Sequence, residues 1–145
     1  MNATTDDAAR IAAFFENFSR VDLVRLADAY TPDASFKDPF HEVRGVAAIE
    51  RIYRHMFDTL DEPVFVVTRR MAQGGECWLS WDMEFRFKSM RSHQMQVIHG
   101  ASHLQLADDG RIAAHRDYWD AAEELYEKIP VLGTLMRWLK RRASR

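Results

Sequence analysis

The sequence predicts an α+β fold in which helices come first and an antiparallel sheet follows. Up to Phe57, apolar residues recur at helical spacing, interrupted by one short apolar strand. From Pro63 onward, the apolar period changes to two. Helices segregated from a sheet that is apolar on one face are typical of this class.

Length and composition predict one domain over residues 1–145. A net charge of -2 gives no electrostatic reason to expect a nucleic-acid partner. The single cysteine, Cys77, excludes an internal disulfide, and the N-terminus lacks the pattern of a signal peptide. We therefore expect a cytoplasmic protein. The scattered histidines lack ligand spacing and no glycine-rich phosphate loop is present, so we expect neither a metal nor a cofactor.

The first part of the chain alternates helical patterns with breaks. A capped helix start at Thr4 is followed by acidic residues, which the helix dipole favours. The predicted elements are a helix from Thr4, a short helix from Asp22 to Tyr30, a strand over 34–38, a loop over 40–44 and a helix from Gly45.

Four strands follow, and they predict a meander. Their ranges are 64–71, 77–88, 95–106 and 111–119. The second strand has the clearest alternation, with Met83 and Phe85 on its apolar face and Trp78 on the other. Asp108-Asp109-Gly110 is a hairpin turn signal before the last strand.

Residues 120–145 form a helical and strongly basic extension. Helical patterns over 121–128 and 131–142 are interrupted at Pro130. We favour a helix that packs on its own sheet or on a second subunit, because amphipathic helices usually cover cores. Contact between this basic tail and an anionic membrane surface or an acidic partner is the alternative.

Asp38 ends the first strand directly before Pro39. The proline holds Asp38 in extended backbone, so its carboxylate at the end of an apolar strand is a candidate base. An Asx-turn, in which the side chain caps the local backbone, explains the same two residues. Both interpretations stay open on the residues alone.

Several short segments carry a resemblance to a known superfamily. They are Leu26-Ala27-Asp28-Ala29-Tyr30, Asp33-Ala34-Ser35-Phe36-Lys37-Asp38-Pro39, Gly45-Val46-Ala47-Ala48-Ile49 with Tyr53, His103-Leu104-Gln105-Leu106 and Gly110-Arg111-Ile112. In this order and spacing, the chain resembles the nuclear transport factor 2-like superfamily, most closely its ketosteroid isomerase and SnoaL-like branches. The resemblance implies a cone, in which a curved sheet and helices enclose an apolar cavity, often in a homodimer packed through the sheets.

The resemblance also implies roles for particular positions. Asp38 falls where the isomerases keep their proton-shuttling carboxylate. Their two oxyanion donors fall on Phe14, which has no proton to donate, and on Ser102. We therefore expect no authentic steroid isomerase activity, and Tyr53 is a candidate substitute donor.

The last strand supplies further candidates. By the family's strand positions, His115, Asp117 and Trp119 face the cavity, whereas a register shifted by one residue would turn Arg116 and Tyr118 inward. An imidazole and a carboxylate on one face can shift each other's proton affinity.

The sequence thus predicts a cofactor-independent isomerase, lyase or cyclase, or hydrolase acting on a small apolar molecule. The predicted catalytic residues are Asp38, His115 and Asp117, and the predicted ligand contacts are Phe14, Tyr30, Tyr53, Met83, Phe85, Ser102 and Trp119. The alternative is a non-catalytic module of the same fold that binds a small ligand or a partner.

Overall fold

A computed structural model describes residues 3–88, 94–124 and 130–144 of the chain. Its helices are α1 (Thr5–Glu16), a 3-10 helix (Arg20–Arg25), α2 (Leu26–Ala29), α3 (Val46–Thr59), α4 (Ala121–Glu124) and α5 (Pro130–Ala143). Its strands are β1 (Tyr30–Lys37), β2 (Glu42–Arg44), β3 (Leu60–Gln73), β4 (Glu76–Phe87), β5 (Gln96–Leu106) and β6 (Ile112–Tyr118).

The strands form one mixed sheet in the order β2-β1-β6-β5-β4-β3. The predicted meander is present, because β3 to β6 pair antiparallel in sequence order. β1 adds to it in parallel with β6, and Phe36 is the register partner of His115. This crossover places the strand before Asp38 beside the strand that carries His115 and Asp117.

α1 and α3 cover the inner face of the sheet. α1 begins as predicted, with a capping box in which Thr4 and Asp7 satisfy each other's backbone N–H groups. The inward residues of β4 are buried and include Cys77, Met83 and Phe85, whereas Trp78 on the outer face is 38% exposed. The strict alternation in the sequence therefore predicts the sheet's two faces correctly.

The outer face carries the two histidines of β5. His99 Nδ1 lies 2.6 Å from Asp82 Oδ1, and His103 stacks on Trp78 with ring centroids 4.3 Å apart. Both histidines therefore lie on the face of the sheet opposite to Ser102. The predicted homodimer stays a prediction.

Two sequence predictions about local structure are wrong. Residues 42–44, expected in a loop, form the edge strand β2, because Val43 pairs with Phe36 of β1. The helix expected up to Tyr30 ends at Ala29, and Tyr30 is the first residue of β1. At both places, pairing with a neighbouring strand overrides what the local sequence predicts.

The described part of the tail contains the helices α4 and α5. Pro130 is the first residue of α5, where a proline costs no hydrogen bond. Of the helical pattern over 121–128, only α4 lies within the described residues. No described helix is long and apolar enough to cross a membrane.

Candidate functional site

The centre of the molecule contains a continuous chain of hydrogen-bonded side chains. His115 Nδ1 lies 2.6 Å from the Tyr30 hydroxyl, which lies 3.1 Å from the Tyr53 hydroxyl. On the other side of the ring, His115 Nε2 lies 2.6 Å from Asp117 Oδ1. The sequence-predicted pair of His115 and Asp117 is therefore formed, and two tyrosines extend it.

Two further side chains hold the carboxylate of Asp117. Ser102 Oγ donates to Asp117 Oδ1 at 2.6 Å, and Trp81 Nε1 donates to Ser102 Oγ at 2.8 Å. Strand register explains the contact, because Ser102 of β5 is the direct partner of Asp117 of β6. Short hydrogen bonds to a carboxylate are the strong ones, so this residue is firmly oriented.

Aromatic rings surround the imidazole of His115. Tyr30 stacks nearly parallel to it at 5.9 Å, and Phe36 and Phe15 lie at 4.8 and 5.7 Å from it. The side chain of His115 is only 3% exposed, compared with 16% for Asp117. Of the hydrogen-bonded pair His115 and Asp117, Asp117 is thus the residue that solvent or a ligand reaches.

The hydrogen-bond chain has two complete arrangements of its protons. When Asp117 is ionised, His115 Nε2–H donates to it, Tyr30 donates to Nδ1, and Tyr53 donates to Tyr30. When the pair of Asp117 and His115 takes up one proton, Nδ1–H donates to Tyr30, Tyr30 donates to Tyr53, and the Tyr53 hydroxyl becomes free to donate elsewhere. The heavy atoms stay in place, so one proton taken up at Asp117 reverses the direction of the hydrogen bonds that join His115, Tyr30 and Tyr53.

The two tyrosines remain neutral in this setting. Burial raises the pKa of Tyr30 well above its usual value, and the nearby Tyr53 adds to the rise. Burial also raises the pKa of Tyr53, with a further contribution from the charge of Asp117. Both hydroxyls therefore act as hydrogen-bond donors and acceptors rather than as phenolate bases.

A small internal cavity adjoins these hydrogen-bonded side chains. Its volume is about 20 Å³, which is room for about one water molecule. Tyr53, Ser102, His115 and Asp117 provide its polar lining. Its apolar walls are Phe15, Phe65, Val67, Leu79 and Trp81.

Asp38 lies outside this cavity. Its Oδ1 accepts hydrogen bonds from the backbone N–H groups of Phe40 and His41, at 2.8 and 2.7 Å, and its carboxylate also contacts the His41 ring at 3.0 Å. The Asx-turn, one of the two sequence interpretations, is therefore what the carboxylate makes. Asp38 therefore does not line the cavity that His115 and Asp117 share, because its carboxylate is held by its own turn.

An open groove outside the cavity brings Asp38 and Asp117 to the same surface. Its volume is about 550 Å³. Trp119 lies in it and packs edge-on against Phe40 at 5.5 Å. The full lining is Lys37, Asp38, Pro39, Arg116, Asp117, Tyr118, Trp119 and Asp120. Of these residues, Asp117 also lines the inner cavity, so it stands at the boundary between the two spaces.

Four predicted ligand contacts lie elsewhere. Phe14 faces a separate groove of about 400 Å³ between α1 and α2. The next residue, Phe15, points into the cavity instead. Met83 and Phe85 are buried in β4 without lining the cavity. Tyr30 is fully buried and acts through His115 and Tyr53 rather than as a wall.

The sequence reasoning missed Trp81 as a site residue. The alternation of β4 indicates only that Trp81 lies on the apolar face. The pairing of β4 with β5 supplies the missing information, because Trp81 lies opposite Gly100 of β5. A Cβ atom at position 100 would lie 2.5–2.9 Å from three atoms of the indole ring, so this glycine makes the space that Trp81 occupies.

No cluster of metal ligands was found within the described parts of the chain, which cover residues 3–88, 94–124 and 130–144. The polar groups of the cavity are satisfied by one another. Among the described residues, no buried side-chain nitrogen or oxygen lacks a hydrogen-bond partner. The side chains that the described residues bring together here are hydrogen-bond donors and acceptors, namely Tyr53, Ser102, His115 and Asp117.

Comparisons with known proteins give the family and the fold. The model of the SnoaL-like domain family matches residues 11–115, which is more than half of the chain. Curated protein sequences give no significant match. The predicted resemblance to the nuclear transport factor 2-like superfamily, with its α+β fold, is confirmed.

Solved structures with the same fold include proteins of several descriptions. A putative SnoaL-like polyketide cyclase from Jannaschia sp. CCS1 has a TM-score of 0.72 at 14% identity, covering 85% of this chain and 93% of that one. An epoxide hydrolase from M. tuberculosis, described as LEH-like, has a TM-score of 0.68 at 20% identity, covering 83% and 87%. A Catenulispora acidiphila protein with a ketosteroid isomerase-like fold, in complex with trimethylamine, has a TM-score of 0.69 at 14% identity, covering 85% and 92%.

Proposed function

This chain belongs to the SnoaL-like domain family, and we propose that it is an acid–base enzyme that transforms a small, largely apolar molecule without a cofactor. The single observation that carries the proposal is the hydrogen-bonded chain from Asp117 through His115 and Tyr30 to Tyr53. A carboxylate at a ligand-accessible boundary, backed by a buried imidazole, suits general acid–base catalysis.

Asp117 is the residue that we assign to the substrate. It takes a proton from a carbon or a hydroxyl of the substrate, and the electron pair of the broken bond stays on the substrate. The proton is shared with His115, whose ring is held by Tyr30. Return of the proton to another atom of the same molecule completes an isomerisation, and its delivery to a leaving oxygen completes an elimination.

Tyr53 is the second polar group in the proposed reaction. Once the pair of Asp117 and His115 holds a proton, the Tyr53 hydroxyl is released from Tyr30 and can donate into the cavity. Its neutral state makes it a hydrogen-bond donor for a developing negative charge on a substrate atom that reaches past Asp117 into the inner cavity. Tyr53 thereby supplies the hydrogen-bond donor that Phe14 cannot provide.

The substrate approaches from the groove outside Asp117. The inner cavity of about 20 Å³ holds little more than a water molecule, whereas the groove offers about 550 Å³. Trp119, against which Phe40 packs, gives the groove an aromatic wall. This geometry supports a small, partly apolar substrate that presents one polar atom to the carboxylate.

A non-catalytic binding module is the second candidate function. The observation that favours it is the completeness of the inner network, in which each buried polar group is satisfied and little space is left. In that case, His115 and Asp117 stiffen β6 and the groove alone binds the ligand.

Proton abstraction can be tested without knowing the natural substrate. The full chain in D₂O is incubated with a panel of small ketones, enones and epoxides, and deuterium incorporation and product formation are followed by NMR. We expect exchange or turnover of at least one compound, and a loss of about 10²–10⁴-fold in Asp117→Asn. Thermal unfolding and ligand titrations of the same variant show whether it folds and still binds.

Asp38→Asn is the matched control, since it removes the other carboxylate of the same groove. A loss confined to Asp117→Asn supports the assignment. Equal losses in both variants overturn the choice of Asp117. Compounds that bind in the groove with no exchange or turnover, and with equal affinity for the wild type and Asp117→Asn, favour the binding module instead.

A further inference from the structure

The C-terminal helix α5 presents an apolar stripe to the outside of the molecule. Leu135, Trp138 and Leu139 lie at spacings of three and four residues, so they share one face of the helix. Their exposed fractions are 51%, 46% and 46%. The described part of the domain therefore leaves this face uncovered, and the sequence-based preference for a helix packed on its own sheet does not account for it.

The same helix concentrates positive charge. Residues 130–145 hold five of the chain's 20 basic residues and none of its 22 acidic residues. The formal net charge of -2 therefore divides into +5 for this segment and −7 for the rest of the chain. Three of the cations, Lys140, Arg141 and Arg142, form the last turn of α5.

One feature joins the two properties. The guanidinium carbon of Arg142 lies 5.3 Å from the centre of the Trp138 ring. A tryptophan at the edge of an apolar stripe, with an arginine against its ring, suits the boundary between acyl chains and headgroups. The helix has 14 residues and spans about 21 Å, which is too short to cross a bilayer and suits a position along its surface.

We infer that α5 docks this protein on an anionic lipid bilayer, with Leu135, Trp138 and Leu139 inserted and the cations among the phosphate headgroups. Charge complementarity selects this partner, since such a bilayer matches the apolar stripe and the uniform positive charge together. The negative charge of the remaining chain is repelled from the same surface. The helix therefore touches the lipid while the domain and its groove stay in water.

The test uses the full chain and vesicles of phosphatidylcholine with one-third phosphatidylglycerol. We expect cosedimentation that weakens as salt is raised, and at least tenfold weaker binding to pure phosphatidylcholine. Each cation contributes about a fivefold gain near such a surface, so Lys140→Gln, Arg141→Gln and Arg142→Gln together should weaken binding about a hundredfold. Arg51→Gln, Arg69→Gln and Arg70→Gln, which remove equal charge from exposed positions of the domain, should change it less than threefold.

Tryptophan fluorescence tests separately whether the apolar stripe inserts into the bilayer. Brominated acyl chains should quench the fluorescence of the wild type and of Trp78→Phe, which lacks an exposed tryptophan of the sheet. They should quench Trp138→Phe much less. Circular dichroism checks that each variant keeps its helix content.

Three results would overturn the inference. The first is no binding of the full chain to the anionic vesicles. The second is binding that the triple glutamine variant retains. The third is a pair of observations: neither the wild type nor the triple glutamine variant binds vesicles, and the two differ in sedimentation coefficient. That result would assign α5 to a contact between protein chains.

Discussion

Asp38 and Asp117 line the same groove, yet their surroundings differ completely. Asp117 Oδ1 receives hydrogen bonds from two side chains of a buried network, Ser102 and His115. Asp38 Oδ1 receives hydrogen bonds from the backbone of its own turn, at Phe40 and His41. Asp117 is coupled to a buried imidazole in the core, whereas Asp38 is held within its own turn, where its imidazole partner His41 is 39% exposed.

The difference teaches which carboxylate is connected to the buried hydrogen-bond network. Both carboxylates contact an imidazole, whose two nitrogens can exchange donor and acceptor roles. His115 is 3% exposed and connects Asp117 to Tyr30, whereas His41 is 39% exposed and stands open to solvent beside its own turn. Access to the groove is shared by both residues and does not distinguish them.

The largest expected contrast between the two residues is in activity. Once a substrate is found, His115→Gln should lower kcat by about 10²–10⁴-fold, because Asp117 loses its proton partner. His41→Gln, which changes the ring beside Asp38, should change kcat less than tenfold. Comparable losses in both variants would show that the Asp38 turn takes part in the reaction.

Packing behind Asp117 gives a second contrast. Gly100→Ala places a methyl group 2.5–2.9 Å from the Trp81 ring, which must shift away from Ser102. We expect a loss of about 1–3 kcal/mol in the free energy of unfolding, measured by urea titration, together with reduced activity. Gly74→Asn, at a turn with φ of 59° and open space around it, should cost only a few tenths of a kcal/mol. A stable and fully active Gly100→Ala would show that Trp81 does not position the site.

The buried tyrosines predict a pH dependence that the Asp38 turn cannot produce. Tyr30 and Tyr53 have raised pKa values in the folded protein, so the unfolded chain loses these protons first as the pH rises. Their contribution to stability is complete below about pH 10 and declines above it. Tyr30→Phe should cost about 1–3 kcal/mol at neutral pH, since it leaves buried partners unsatisfied. Its free energy of unfolding should also fall less steeply above pH 10, and an unchanged slope would contradict this account.

The smallest expected effect is on the Asp38 turn itself. Asp38→Ala removes the two caps on Phe40 and His41, and we expect a cost of about 0.5–2 kcal/mol in the free energy of unfolding. Because β2 follows directly, amide hydrogen exchange should rise at residues 40–44. Pro39→Ala is the matched control, because it changes the turn and leaves both caps in place. Protection of residues 40–44 that is the same in Asp38→Ala as in wild type would show that the caps do not hold the turn.

The sequence by itself determined the class of the fold, the two faces of β4 and the pair formed by His115 and Asp117. These follow from periodicity, since apolar spacing fixes which side of a helix or strand is buried and places two residues of one strand on the same face. The resemblance added the overall arrangement and the position of Asp38.

Only the tertiary structure decided how the site is assembled. Local spacing could not show that Tyr30 leaves its helix to begin β1, that Phe15 rather than Phe14 faces the cavity, or that Gly100 makes space for Trp81. It also left both fates of Asp38 open. These outcomes depend on partners that are distant in sequence, or on competition between local and distant hydrogen bonds. The packing of the whole protein decides them.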